Sequence, residues 1–103
     1  MDGERRKTNR GILLTEVQYE GAGIRAETRI SDINLSGVFI DALSPLPVGA
    51  ALKVSFTLPG GQRIATEGVV VHSQPSIGMG VEFTSLKPDD AKLIQDAIDA
   101  HHQ

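Results

Sequence analysis

Apolar and polar residues alternate along most of the chain, a period of two that predicts strands with one buried face. The first such run begins at Ile12 and places Val17 and Tyr19 on its apolar face. A second run covers residues 24–30, where Ile and Ala positions alternate with charged ones. The glycine-containing segment 21–23 between them is typical of a turn, so the two runs predict an antiparallel hairpin.

Four more strands are predicted in the remainder of the chain, at residues 38–40, 52–58, 63–74 and 78–83. The third of these is long for a strand, and Gly68 lies in its middle. A glycine within a strand often marks a bulge or a sharp bend, so we predict that the sheet curls at this position.

The period then changes from two to that of a helix. Pro88, a residue favoured at the first helical position, is followed by Asp89 and Asp90 at the positive end of the helix dipole. Apolar residues recur from there at helical spacing, which predicts a helix over about 88–101. The predicted fold is mostly β: a six-stranded antiparallel barrel with a C-terminal α-helix, formed by a single domain over 12–103 and preceded by a flexible basic arm at 1–11.

Composition and charge narrow the function. The chain has 103 residues, no cysteine and a formal net charge of −3, but four bases against two acids lie within residues 1–10. A short basic arm on an acidic body favours a small anion as the partner and argues against nucleic acid, which requires a basic surface. Since no apolar run is long enough to span a bilayer, we expect no membrane insertion and a cytoplasmic location.

Catalytic or metal chemistry has little support in the sequence. His72 lies on a predicted strand, where a histidine is more often packed or exposed than catalytic. His101 and His102 are sequence neighbours on the predicted helix, so they point to different sides and do not suit a common metal ion. We therefore predict that the protein is not an enzyme and has neither a metal site nor a cofactor.

The segment 31–40 concentrates hydrogen-bonding groups between two predicted strands. Asp32 offers a carboxylate of the kind that accepts from the N–H donors of a guanine edge, while Asn34 and Ser36 can bond a phosphate or a ribose. Gly37 permits close approach of a backbone. These residue types also favour an ordinary tight turn, and that interpretation stays open from the residues alone.

Arg6 and Arg10 lie four residues apart just ahead of the first strand, and Arg5 adds a third guanidinium. Guanidinium groups bind phosphate in a bidentate manner and stack on purines. The spacing Arg-x-x-x-Arg, the later motif Asp32-x-Asn34-x-x-Gly37 and the final strand at 78–83 together resemble the PilZ domain family. In that family the second motif is Asp/Asn-x-Ser-x-x-Gly, so Asn34 stands where the family has a serine.

This resemblance implies a PilZ-type barrel and a bacterial receptor for the second messenger cyclic di-GMP, with motility or biofilm control as the general setting. It implies that the arginines of the arm hold guanines and phosphates, and that the arm orders on binding and signals through an unknown protein partner. The implied ligand-binding residues are Arg5, Arg6, Arg10, Asp32, Asn34 and Gly37. Two alternatives stay open: a PilZ-like protein-interaction adaptor that binds no ligand, and a small barrel for single-stranded nucleic acid, which the low aromatic content disfavours.

Overall fold

The computed structural model describes residues 15–101, and the side chains of residues 16–100. Six strands precede one helix in this part of the chain. They are β1 (Thr15–Gly21), β2 (Ile24–Ile33), β3 (Gly37–Asp41), β4 (Ala51–Thr57), β5 (Arg63–Gln74) and β6 (Gly78–Phe83), followed by α1 (Pro88–His101).

The six strands form a closed antiparallel barrel in the order β1-β2-β3-β6-β5-β4. Closure comes from pairing of β1 with β4, where Val17 lies opposite Phe56 and Glu20 opposite Lys53. Each of these strands therefore has a hydrogen-bonded neighbour on both sides, which removes the exposed edges of an open sheet. The predicted fold class, a six-stranded antiparallel barrel with a C-terminal helix, is confirmed.

The alternating apolar positions fill the barrel, and the largest of the fully buried side chains are Phe56, Ile30, Ile40, Ile64 and Met79. Burial of a side chain of this size contributes about 1.5–3 kcal/mol relative to leaving it in water. The helix adds the fully buried Ile94 to the same core, and its residues Leu93, Ala97 and Ile98 are partly buried against the barrel. In the described part of the chain, no helix is both long and apolar enough to cross a membrane.

Two strands carry register shifts that the alternation of the sequence does not reveal. In β2 the shift lies between Ile30 and Asp32, and in β5 it lies between Val70 and His72. Of the two features predicted at Gly68, a bulge or a sharp bend, the bulge was wrong, because Gly68 pairs in continuous register with Leu52 and Phe83. Gly68 is needed for close packing instead, because a Cβ there would lie 2.6 Å from Val81 Cγ1 and 2.7 Å from the carbonyl oxygen of Glu82.

The predicted end of the second strand was wrong, and the register shift in β2 explains why. The apolar pattern ended the strand at Ile30, whereas β2 continues to Ile33 and places Asp32 within the sheet. An extra residue in one strand changes which face the following residues occupy. As a result Ile33 is buried in the core opposite Val38, while Asp32 lies opposite Phe39.

Candidate functional site

A shallow cleft of about 260 Å³ lies on the outside of the barrel, across β2, β3, β6 and β5. It contains every predicted site residue that the structure describes. The cleft is lined by Asp32, Asn34, Ser36, Gly37, Val38, Phe39, Val71, Gly80, Val81 and Glu82.

Asp32 reaches the cleft because of the register shift that precedes it. Its Oδ1 accepts a hydrogen bond from the backbone N–H of Ile33 at 2.9 Å, which fixes the carboxylate at the strand end. No donor among the described residues is recorded on its other oxygen, Oδ2. A half-buried carboxylate with one free oxygen can accept from a ligand, as the sequence predicted for the edge of a guanine.

Asn34 builds the turn between β2 and β3. Its side-chain oxygen accepts from the backbone N–H of Ser36 at 2.7 Å and from that of Gly37 at 3.0 Å. The backbone N–H of Asn34 donates to the carbonyl oxygen of Gly37 at 3.0 Å. This is the local side-chain-to-backbone bonding that favours Asn in turns. The tight-turn interpretation is confirmed, and because the same residues line the cleft, their role in ligand binding stays a prediction.

The turn leaves few backbone donors for an anion. The N–H groups of Ser36 and Gly37 are already bonded to Asn34, and the carbonyl of Ser36 accepts from the N–H of Phe83 at 2.8 Å. What remains at the rim is the Nδ2 amide group of Asn34, the hydroxyl of Ser36 and the N–H of Leu35. Asn34 can still donate to a phosphate, but its oxygen is used by the turn.

Gly37 is required by the barrel itself. A Cβ at this position would overlap the carbonyl oxygen of Val81 and lie 3.0 Å from the Cα of Glu82. The glycine thus lets β3 approach β6 closely, where Gly37 pairs with Glu82. The sequence predicted a need for close backbone approach here, and the backbone that approaches is that of β6.

Six residues of the cleft lining were not identified as site residues from the sequence: Val38, Phe39, Val71, Gly80, Val81 and Glu82. In β6 the buried Met79 and Val81 alternate with outward-facing residues, so the sequence pattern alone could have placed Glu82 on the outside of the barrel. Phe39 and Val71 gave no such signal, because each lies in a run of consecutive apolar residues and next to a register shift.

The charged residues of the cleft lining are all acidic. Among the described residues that line it, Asp32 and Glu82 carry carboxylates and none is a base. The predicted bases Arg5, Arg6 and Arg10 lie outside the described residues. An anion could bind here only if cations were brought to the cleft from elsewhere.

A larger groove of about 750 Å³ lies on another part of the barrel surface, across β1, β2, β4 and β5, and holds none of the motif residues. The small Ser55 and Ala65 face each other across β4 and β5 in its floor. Arg63 borders this surface and donates to Gln18 at 3.1 Å and to Ser55 at 3.0 Å. Its size alone does not make it the functional site, because the groups suited to base recognition are in the smaller cleft.

Residues 15–101 contain no cluster of three or more His, Asp or Glu residues that could hold a metal ion. The protein is a small closed β-barrel, and its candidate binding groups lie on the outer wall, at the turn between β2 and β3. The family model for the PilZ domain matches residues 4–100, nearly the whole chain. The chain belongs to the PilZ domain family. No curated protein matches it.

Proposed function

We propose that this protein is a receptor for cyclic di-GMP that binds the ligand between its basic N-terminal arm and the cleft on β2, β3 and β6. PilZ domains are in general cyclic di-GMP receptors and adaptors rather than enzymes. The observation that carries the proposal is the collection of Asp32, Asn34 and Gly37 in one cleft. They lie at the end of the β2–β3 hairpin. A register shift in β2 and the hydrogen bonds of the Asn34 side chain to the turn determine their positions.

Base recognition is assigned to Asp32. The N1–H and exocyclic amino groups of guanine are adjacent donors, whereas adenine presents one acceptor and one donor at the same edge. A carboxylate accepts but does not donate unless it is protonated, so Asp32 favours guanine over adenine. The hydrogen bond from the N–H of Ile33 fixes this carboxylate before the ligand arrives.

Phosphate recognition is assigned to the arm. The cleft lining is acidic and would repel a dianionic ligand, so Arg5, Arg6 and Arg10 supply the positive charge and Asn34 adds an amide donor. In this mechanism the ligand bridges the arm and the cleft. The arm fixed over the cleft then presents a new surface to a protein partner.

Calorimetric titration with cyclic di-GMP tests this proposal. Substitution of Arg6→Ala or Arg10→Ala removes a charge-assisted contact to phosphate, and Asp32→Ala removes the carboxylate that reads the base, so each should weaken binding by about 1.5–3 kcal/mol. Arg25→Ala is the matched control for loss of a cation. Arg25 is exposed, lies in the larger groove and forms an ion pair with Glu20 there, so it is not part of the cleft. Glu27→Gln is the control for loss of a carboxylate on that same surface.

Absence of binding to the wild-type protein at high micromolar cyclic di-GMP would refute the receptor proposal. The protein would then be an adaptor that keeps the fold but binds no ligand. Equal binding of cyclic di-AMP and cyclic di-GMP would instead remove the assigned role of Asp32.

A further inference from the structure

Phe39 lies on the outside of the barrel, against two glycines of the neighbouring strand. A Cβ at Gly78 would lie 2.6 Å from Cε2 and 3.1 Å from Cζ of the Phe39 ring, and a Cβ at Gly80 would lie 3.9 Å from Cδ1. The ring therefore extends along β6 over both positions. A larger residue at Gly78 would overlap the carbonyl oxygen of Ile40 as well as the ring, so this glycine serves the pairing of β3 with β6 and also lets the ring lie close to the sheet.

The same ring borders the cleft beside the proposed base-reading carboxylate. Phe39 lies directly opposite Asp32 in the register of β2 and β3. Side chains at directly opposed positions have Cβ atoms about 4.5–5.5 Å apart, and both Phe39 and Asp32 line the cleft. Val71, which is 49% exposed, adds a second apolar surface to the same cleft.

Phe39 differs from the other aromatic residues, because Phe56 and Tyr19 are buried in the core and the half-buried Phe83 packs against it. The packing on β6 uses the side of the ring that faces the glycines. Phe39 is only half-buried and lines the cleft, so part of this apolar ring is open to a ligand in the cleft that also holds the acceptor Asp32. A flat surface beside an edge acceptor is the combination that a purine base requires, since the base can stack and be hydrogen-bonded at the same time.

We propose that Phe39 is the stacking surface for the purine whose edge Asp32 reads, and that Gly78 and Gly80 position the ring for this purpose. The inference rests on the proposed function and deepens it, because it assigns a base-binding subsite to the described floor of the cleft. Since stacking is lost when the ring is removed, Phe39→Leu should bind cyclic di-GMP ~5- to 150-fold more weakly than wild type. Phe39→Tyr keeps the ring and should bind within a few fold of wild type.

A spectroscopic experiment separates stacking from a purely structural role. The protein contains no tryptophan, so Phe39→Trp introduces a single indole reporter at the proposed subsite. Stacking of a guanine on the indole should quench its fluorescence on titration with cyclic di-GMP. Ile77→Trp is the matched control: Ile77 is 58% exposed in the β5–β6 turn, does not line the cleft, and should report only absorption by the ligand.

Circular dichroism and thermal melts of each variant establish that it is folded before its binding is measured. Quenching at position 39 but not at position 77, together with weaker binding of folded Phe39→Leu, is the expected result. If cyclic di-GMP binds the wild type while folded Phe39→Leu binds equally well or the indole signal of Phe39→Trp does not change, the subsite is wrong and the receptor function stands. If the wild type does not bind, both proposals fail.

Discussion

Asn34 occupies the position where the family motif has a serine, and its contacts allow its two possible roles to be separated by substitution. Its side-chain oxygen accepts two backbone hydrogen bonds, from Ser36 and Gly37. Asn34→Ala removes this acceptor and leaves both N–H groups to find water. A net hydrogen bond contributes about 0.5–1.5 kcal/mol, so the loss of two should lower the free energy of unfolding by about 2 kcal/mol.

Asn34→Asp is the informative partner of the alanine variant. The carboxylate keeps an oxygen in place for both N–H donors, so the stability should stay within about 1 kcal/mol of wild type. It also adds a third negative charge to a cleft that already holds Asp32 and Glu82. This variant should therefore be stable but bind cyclic di-GMP more weakly, with a larger deficit at low salt, where screening is weakest.

Denaturant unfolding and thermal melts measure the first effect, and calorimetry at two salt concentrations measures the second. For a chain of this size, about 2 kcal/mol corresponds to a fall in Tm of roughly 8–16 °C. Asn34→Ser restores the family residue with a shorter acceptor and should lie between wild type and alanine in stability. An alanine variant as stable as wild type, or an aspartate variant as unstable as alanine, would refute the assigned role of the side-chain oxygen.

Two further substitutions test the packing that holds the cleft. Gly37→Ala should destabilise the barrel by about 1–3 kcal/mol in urea unfolding, because its Cβ would overlap the carbonyl of Val81. Gly60→Ala is its control, since the new Cβ would meet only the end of the Gln62 side chain; equal losses in the two would contradict this explanation. Thr66→Val should stabilise the protein by about 1 kcal/mol, because the buried Thr66 hydroxyl has no hydrogen-bond partner among the described residues. A lower Tm for this variant would show that the hydroxyl is satisfied.

The alternation of apolar residues was sufficient to predict the six strands, because one-sided burial in a barrel imposes a period of two on the sequence. The same reasoning failed at the register shifts. Whether Ser31 or Val71 is accommodated as an extra residue depends on the partner strand, which lies elsewhere in the chain. Gly68 illustrates this limit, because a glycine required by a bulge and a glycine required by a close neighbour look identical in the sequence.

The motif residues of the candidate site could be predicted from the sequence, but the separate role of each residue in the turn and in the cleft could not. Asp32 and Gly37 were predicted from their residue types, whereas the commitment of the Asn34 oxygen to the turn depends on hydrogen-bond geometry. Phe39 was missed because three apolar residues in succession do not indicate which one faces outward. The register of β2 and β3 decides this, since it places Phe39 opposite Asp32.

The distribution of charge in the cleft indicates how affinity and selectivity divide between the two parts of the proposed site. The described floor contains carboxylates, which can accept from the donor edge of guanine but not from an acceptor, and an aromatic ring, on which any base can stack. Neither kind of group attracts phosphate. Attraction must then come from the arm, whose arginines contact any phosphate with little regard to the base. Loss of Arg6 or Arg10 should therefore weaken cyclic di-GMP and cyclic di-AMP by similar factors. Loss of Asp32 should instead reduce the preference between them, because the two ligands differ only in the edges that the floor reads.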